Sequence, residues 1–267
     1  MNVFKQVITH AGQFHADEIL AVGVMRLIQP GIKVVRKFKV TPTEYNDPLT
    51  VIIDLGRFFA PEKNLFDHHQ DKSLPASNLL VLDTFYEALG ARFDLNRSDA
   101  YRMYVYLMKN LFSYVSNIDT GKSRDLNDVP TFNSVIRNMN ALDPEISFNL
   151  ALTMAEVIIE GHIQSLKLII EGEREWDNFK EITSKVRLQE DARIIPNWKD
   201  IAKKEDVIAL IQPNVRGGWQ VVSRDTKDLI LPADDKAKFR HEAGFLIVFE
   251  DKDDAINYAT KLEKFYG

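Results

Sequence analysis

The sequence predicts an α/β fold with a parallel-sheet N-terminal domain, a helical connector and a smaller α/β C-terminal domain. Three observations lead there. In the first half, short apolar runs alternate with segments of helical period, the signature of a parallel sheet. From residue 146 to about 186 the chain has few breakers and one long amphipathic pattern. The last third returns to short strand-like runs between Pro and Gly turns. With 267 residues, 45% of them apolar, two modest cores are expected. We place the domains at 1–145 and 191–267, with 146–190 between them.

Taken in order, residues 3–9 form an apolar strand, 10–13 a loop, and 16–29 a helix stopped by Pro30 and Gly31. Residues 33–40 alternate as a strand, 42–48 read as a turn, and 50–54 as a more buried strand. Residues 77–89 and 98–115 are helical. The second of these carries Tyr101, Tyr104, Tyr106, Phe112 and Tyr114, which are assigned to the core. In 146–186, Leu150, Met154, Val157, Ile158, Leu166, Ile169 and Ile170 fall on one predicted apolar side. Strands follow at 192–195, 207–211, 219–222 and 244–249, then a helix at 252–264.

Composition narrows the chemistry. The 34 basic and 39 acidic residues give a net charge of −5, so no global field draws the chain to nucleic acid or anionic membrane. Cysteine is absent, which excludes disulfides, thiolate metal sites and cysteine nucleophiles. The first motif starts so near Met1 that no signal or transit peptide is expected. No apolar stretch is read as membrane-spanning, and a cytoplasmic location is expected.

Five of the six histidines lie in three motifs, His10–Ala–Gly–Gln–Phe–His15–Ala–Asp17–Glu18, Asp67–His68–His69–Gln70 and His241–Glu–Ala–Gly–Phe245. Mixed imidazole and carboxylate sets suit divalent metals such as manganese, iron, cobalt or zinc. His10, His15 and Asp17 sit where a strand ends and a helix begins, the usual ligand position in open α/β sheets. Asp17 reads equally as a helix-capping residue. Neighbouring side chains of an extended segment point to opposite sides, so one of His68 and His69 faces a metal and the other is free for substrate. Asp54 ends the run Val51–Ile52–Ile53 and precedes the Gly56 turn. His162, in the long helical segment, is assigned a structural role.

These motifs, with Ile53–Asp54–Leu55–Gly56 and Asn117–Ile118–Asp119–Thr120–Gly121, resemble in order the melanocyte proliferating gene family of metal-dependent hydrolases. That family lies within the DHH phosphoesterase superfamily, with RecJ-like exonucleases, oligonucleotide phosphodiesterases and family II inorganic pyrophosphatases. The resemblance implies a site for two Mn2+ ions, with His10 and His15 on one, Asp17, His68 and Asp119 on the other, and Asp54 bridging. Asp67 is implied to orient an imidazole, and His69 to face the substrate phosphate, so Asp54, Asp67 and His69 form the implied catalytic set. Larger relatives carry a second Asp just after Asp119, where this chain has Gly121–Lys122–Ser123. The third motif is implied to grip substrate through Arg240, His241 and Gly244, with Arg216 nearby. Lys236 and Lys238 are read as a solvated strand edge and Trp219 as core.

The expected activity is therefore a metal-dependent phosphodiesterase acting on RNA or short oligonucleotides, as a 3′ to 5′ exoribonuclease using two-metal activation of water. The alternatives are a small-nucleotide phosphatase or inorganic pyrophosphatase, and a non-catalytic metal-binding regulatory protein. No membrane partner is expected.

Overall fold

The computed structural model describes residues 3–126, 128–191, 195–225 and 227–266. The chain divides into two compact units, Met1–Leu166 and Lys167–Gly267.

The first unit is built on a five-stranded sheet. Its strands are β1 (Gln6–His10), β2 (Lys33–Lys37), β3 (Thr50–Ile53), β4 (Phe59–Ala60) and β5 (Leu65–Phe66), in the order β2-β1-β3-β5-β4. β2, β1, β3 and β5 are mutually parallel, and only the edge strand β4 is antiparallel. Parallel strands are buried on both faces, which explains the unbroken apolar runs Val51–Ile52–Ile53 and Val7–Ile8, all 0% exposed. β2 ends at Lys37, short of the expected residue 40. The expected turn at 42–48 holds a one-turn helix, α2 (Pro42–Tyr45), whose Thr41 and Glu44 form a capping box.

Helix α1 (Ala16–Ile28) is almost wholly buried and packs against α3 (Ser77–Arg92). α4 (Arg97–Leu107) continues through a π-helical stretch at Met108–Phe112 into α5 (Ser113–Asp119). Ala100, Met103, Leu107 and Phe112 are buried, whereas Tyr101 is 56% exposed, so the tyrosine stripe is not the core expected for it. Its rings stack laterally instead, Tyr104 lying 5.1 Å from Tyr86 and 6.0 Å from Tyr101.

α6 (Phe132–Met139) precedes α7 (Pro144–Trp176). The expected apolar side of α7 holds only in part: Leu166 and Ile170 are buried, but they share the inward face with residues outside the expected set. Phe148, Ala151, Leu152, Ala155, Ile159, Ile163 and Leu166 are buried, while Leu150 and Val157 are exposed. The inward stripe uses alanine where helices approach closely: a Cβ on Gly23 of α1 would lie 3.2 Å from that of Ala155. At 33 residues α7 is also long and apolar enough by composition to cross a membrane, contrary to the expectation that no stretch would be. The same composition arises in a helix buried in a folded core.

In the second unit α7 gives way at Trp176 to a hairpin of β6 (Lys180–Thr183) and β7 (Val186–Leu188), where the sequence reading continued the helix. Their apolar residues alternate with period 2, a signal masked by the amphipathic pattern before them. The remaining elements are α8 (Trp198–Lys204), β8 (Ala209–Pro213), β9 (Trp219–Ser223), β10 (Ala237–Arg240), β11 (Leu246–Phe249) and α9 (Lys252–Tyr266). The sheet order is β10-β11-β9-β8-β7-β6. Ala209, Ile211 and Val221 face α9 residues Ala255, Tyr258 and Leu262, and Leu210 and Val222 face Trp176 and Trp198. The strand expected at 192–195 falls mainly on 192–194, outside the described residues.

Candidate metal centre

The C-terminal ends of three adjacent parallel strands supply the centre: His10 ends β1, Asp54 follows β3, and Asp67 and His68 follow β5. Parallel pairing sends all three chains out of the sheet on the same side, so residues 44 and 58 positions apart from His10 arrive together. The start of α1 adds His15, Asp17 and Glu18, and the end of α5 adds Asp119.

Among the described residues three ligand groupings result, each with donor atoms lying within 4.8 Å of one another: His10, His15, Glu18 and Asp54; Asp54, His68 and His69; and His15, Asp17 and Asp119. Asp54 and His15 each belong to two of them. Asp54 is the hub. Its Oδ2 lies 3.5 Å from His10 Nε2, and its Oδ1 lies 3.4 Å from His68 Nε2 and 3.5 Å from His69 Nδ1. Ser77 Oγ at the start of α3 donates to the same Oδ1 at 3.0 Å. Asp54 has φ +54, a left-handed conformation unusual outside glycine and frequent at functional sites.

The residues fit a divalent cation. His10 Nε2 approaches Glu18 Oε1 to 2.8 Å and His68 Nε2 approaches Asp119 Oδ2 to 3.1 Å, yet neither nitrogen makes an aligned hydrogen bond. Both carboxylate oxygens of the buried Asp17 lack a hydrogen-bond partner among the described residues. Buried polar atoms are nearly always satisfied, and these orphans belong to ligand types that a cation binds.

Electrostatics agree. Burial, followed by repulsion from Asp54, Glu18 and Asp119, pushes the Asp17 carboxyl well above the usual carboxylate range. Burial and Asp54 do the same to Glu18. Burial also works to raise Asp54, but the imidazoles of His68, His69 and His10 outweigh it and hold that carboxyl low. Burial depresses His68, while Asp119 and Asp54 more than compensate and carry it up to about 10. Burial first and crowded carboxylates second penalise the charges of Asp17 and Glu18, and a bound cation relieves that penalty.

Asp67 works differently. Its Oδ1 lies 2.8 Å from His69 Nδ1 and accepts the His69 N–H at 2.9 Å, while Oδ2 accepts the Arg57 N–H at 2.7 Å. Burial opposes ionisation, but these bonds pull the carboxyl down to about 2. In turn Asp67 raises the pKa of His69. The imidazole oriented by Asp67 is thus that of His69, which is half exposed.

Three contributors carried no assignment in the sequence reading. Both Glu18 carboxylate oxygens accept the His15 N–H at 2.8 Å, fixing the start of α1 while facing His10. The capping-box spacing from His15 to Glu18 was the available signal. Asn140 clasps the loop before His15, accepting from the Phe14 N–H at 2.9 Å and donating to the Phe14 carbonyl at 2.8 Å. Asn78 Nδ2 donates to the Phe112 carbonyl at 2.8 Å, where the π turn meets α5. Those two act across the fold, with no local pattern.

The third motif lies in the second unit. Arg240 Nε donates to the Leu231 carbonyl at 2.7 Å, and His241 shapes a tight turn in which its Nδ1 accepts the Ala243 N–H at 3.1 Å. Gly244 has φ +67, and a Cβ there would sit 2.5 Å from Ile230. Arg216 belongs to the β8–β9 turn. Strand register pairs Pro213 with Trp219 and Trp219 with Phe249 at that end, and Leu246 with Val222 at the other. Arg216 and His241 therefore occupy opposite ends of the sheet and do not share a loop cluster. Arg224 is bound to Asp206 and to the Val207 carbonyl. Lys236 and Lys238 pair with Asp254 and Glu250 at the surface, and Trp219 packs against the sheet core. His162 sits edge-on to Tyr106 at 6.0 Å, its pKa lowered by burial.

Comparison with known proteins gives this geometry a family. The MYG1 protein of Dictyostelium discoideum is 28% identical over 134 residues, covering 46% of this chain and 40% of that protein. The MYG1 protein of Saccharomyces cerevisiae is 41% identical over 68 residues, covering 25% of this chain and 19% of its own length. The chain thus spans well under two thirds of either relative. A crystal structure of exonuclease RecJ bound to manganese aligns over 98% of this chain and 90% of that one, with 12% identity and a TM-score of 0.30, too slight to bear on the chemistry. The profile named MYG1_exonuc, described as an uncharacterised protein family (UPF0160), matches residues 6–207. That span holds every ligand of the candidate centre, and the chain belongs to the MYG1_exonuc family.

Proposed function

We propose that the protein is a metal-dependent phosphodiesterase acting on nucleic acid, in its most specific form a 3′ to 5′ exoribonuclease or oligoribonuclease. One observation carries the reading: buried His10, His68 and Asp17 atoms, left without aligned partners, converge at the carboxyl ends of parallel strands. The family name supports the nuclease class.

In this proposal two Mn2+ ions bind. His10, His15 and Asp54, with Glu18 beside them, would hold one, and Asp17, His68 and Asp119 would hold the other, with Asp54 common to both sets. Ions so bound lower the pKa of water and offset charge on a phosphoryl group undergoing in-line displacement. The remaining chemistry falls to the chain's own groups. Ser77 and the left-handed backbone hold Asp54 in place. Asp67 keeps the His69 ring oriented through Nδ1, leaving Nε2 to carry a proton towards a phosphate oxygen. Arg240, His241, Gly244 and Arg216 remain proposed substrate contacts, with Arg216 on a different part of the substrate from the other three. A pyrophosphatase needs dense free cations in its grip, whereas Arg224 is engaged by Asp206 and by the Val207 carbonyl, which favours the phosphodiester reading.

The test is turnover of 5′-labelled RNA, a dinucleotide and pyrophosphate side by side in manganese. Stepwise shortening of RNA or cleavage of the dinucleotide is expected. Turnover of pyrophosphate alone, or of none of the three, contradicts the proposal.

A further inference from the structure

The turn after β3 contains a residue that neither the motifs nor the family name assigns. Asp54, Gly56 and Arg57 have φ of +54, +101 and +59. At Gly56 a glycine is required, since a Cβ there would collide with the Tyr45 hydroxyl, which donates to the Gly56 carbonyl at 3.0 Å. Arg57 follows in the left-handed region, a conformation that glycine adopts freely and an arginine adopts only at a cost. Local demand explains the conformation, because the Arg57 N–H must reach Asp67 Oδ2 at 2.7 Å. It does not explain the side chain. Glycine would make the same bond without strain, yet the position carries the residue with the most hydrogen-bond donors.

That side chain is exposed and makes no hydrogen bond or ion pair among the described residues. It lines a cavity of about 310 Å³ together with His10, His15, Asp54, Asp67 and His69. An arginine whose side chain has no partner among the described residues, lining a cavity with proposed metal ligands, the His69–Asp67 pair, Leu55 and Gly56, has a natural complement in phosphate, which a guanidinium meets with paired N–H donors. Strained backbone retained beside reactive groups is a recurrent mark of function.

We propose that Arg57 is the residue of this cavity that binds the substrate's phosphate, reading the non-bridging oxygens beside His69. The inference rests on the phosphodiesterase reading for its substrate class, though the phosphate site can be tested without turnover.

The experiment uses the full chain with Mn2+ and compares wild type, Arg57→Gly and Arg57→Lys for binding of adenosine 5′-monophosphate, with adenosine as the phosphate-free control. Arg57→Gly suits the left-handed backbone, so its thermal midpoint without metal should equal or exceed that of wild type. Its affinity for the monophosphate should fall roughly 10- to 100-fold, the loss expected for a charge-assisted pair. Adenosine binding and Mn2+ affinity should be unchanged, and Arg57→Lys should fall between. Equal monophosphate affinity in wild type and Arg57→Gly overturns the inference, as does a parallel loss of Mn2+ binding, which marks a structural role. If wild type cleaves no phosphodiester but binds the monophosphate through Arg57, the proposed reaction fails and the phosphate site stands.

Discussion

Replacing Asp17 with Asn separates a structural carboxylate from one that exists to hold a cation. Asp17 is 1% exposed, neither oxygen has a hydrogen-bond partner among the described residues, and Asp54, Glu18 and Asp119 all repel its charge. Without metal, Asn keeps the volume and carries no charge at any pH, so it cannot suffer the burial and repulsion that penalise the carboxylate, and the metal-free variant should be at least as stable as wild type at pH 7.5. With metal the order reverses. A ligand at about 100 times its Kd stabilises the fold by roughly 2.7 kcal/mol. For a unit the size of Met1–Leu166 this is a rise in Tm of about 5–11 °C. If losing Asp17 weakens binding about 100-fold, the upper range for residues supporting a metal site, the same Mn2+ concentration then equals Kd. Only about 0.4 kcal/mol, or about 1–2 °C, remains. Thermal melts of both proteins with and without Mn2+ give the four midpoints. A metal-free variant several degrees less stable than wild type, or an equal Mn2+ shift in both, refutes the reasoning.

Glu18→Ala removes the acceptor of the His15 N–H and a carboxylate facing His10; urea unfolding should show a loss of about 1–3 kcal/mol without metal. Asn140→Ala leaves the N–H and carbonyl of Phe14 without their partner, and should cost about 2–4 kcal/mol in the same assay while lowering Mn2+ affinity through the His15 loop. The pH dependence follows from Asp17 and Glu18. Because their folded pKa values lie above the unfolded ones, the folded state binds more protons, and the stability this contributes is full at low pH and lost as pH rises through the raised values. The metal-free Tm should therefore fall with rising pH above the ordinary carboxylate range, less steeply in Asp17→Asn, and Mn2+ should remove the fall.

How much was legible in the sequence differed by element. His10, Asp54 and His68 were readable because each ends an apolar strand, and parallel pairing turns three strand ends into one place. Asp119 was readable only through resemblance, since its approach depends on the π turn at Met108–Phe112, which shifts the helix register without a local signal. Glu18 lies inside the first histidine motif, but its sequence position does not separate capping from ligation, because both call for the same residue types. Asn140 is 126 residues from its partner Phe14, beyond any periodicity. The part of α7's face that the sequence reading places wrongly has a packing cause: Ala155 takes the inward side where α1 approaches closely at Gly23, while the larger Leu150 and Val157 face outward.

The central claim is that Asp54 joins two cations in one catalytic centre. Direct metal analysis of the chain saturated with Mn2+, beside Asp54→Asn and with RNA hydrolysis measured on the same samples, tests it most directly. The account predicts two ions per wild-type chain, fewer in the variant, and hydrolysis that disappears in the variant and on chelation. Undiminished metal content in Asp54→Asn, or hydrolysis that survives chelation, contradicts it.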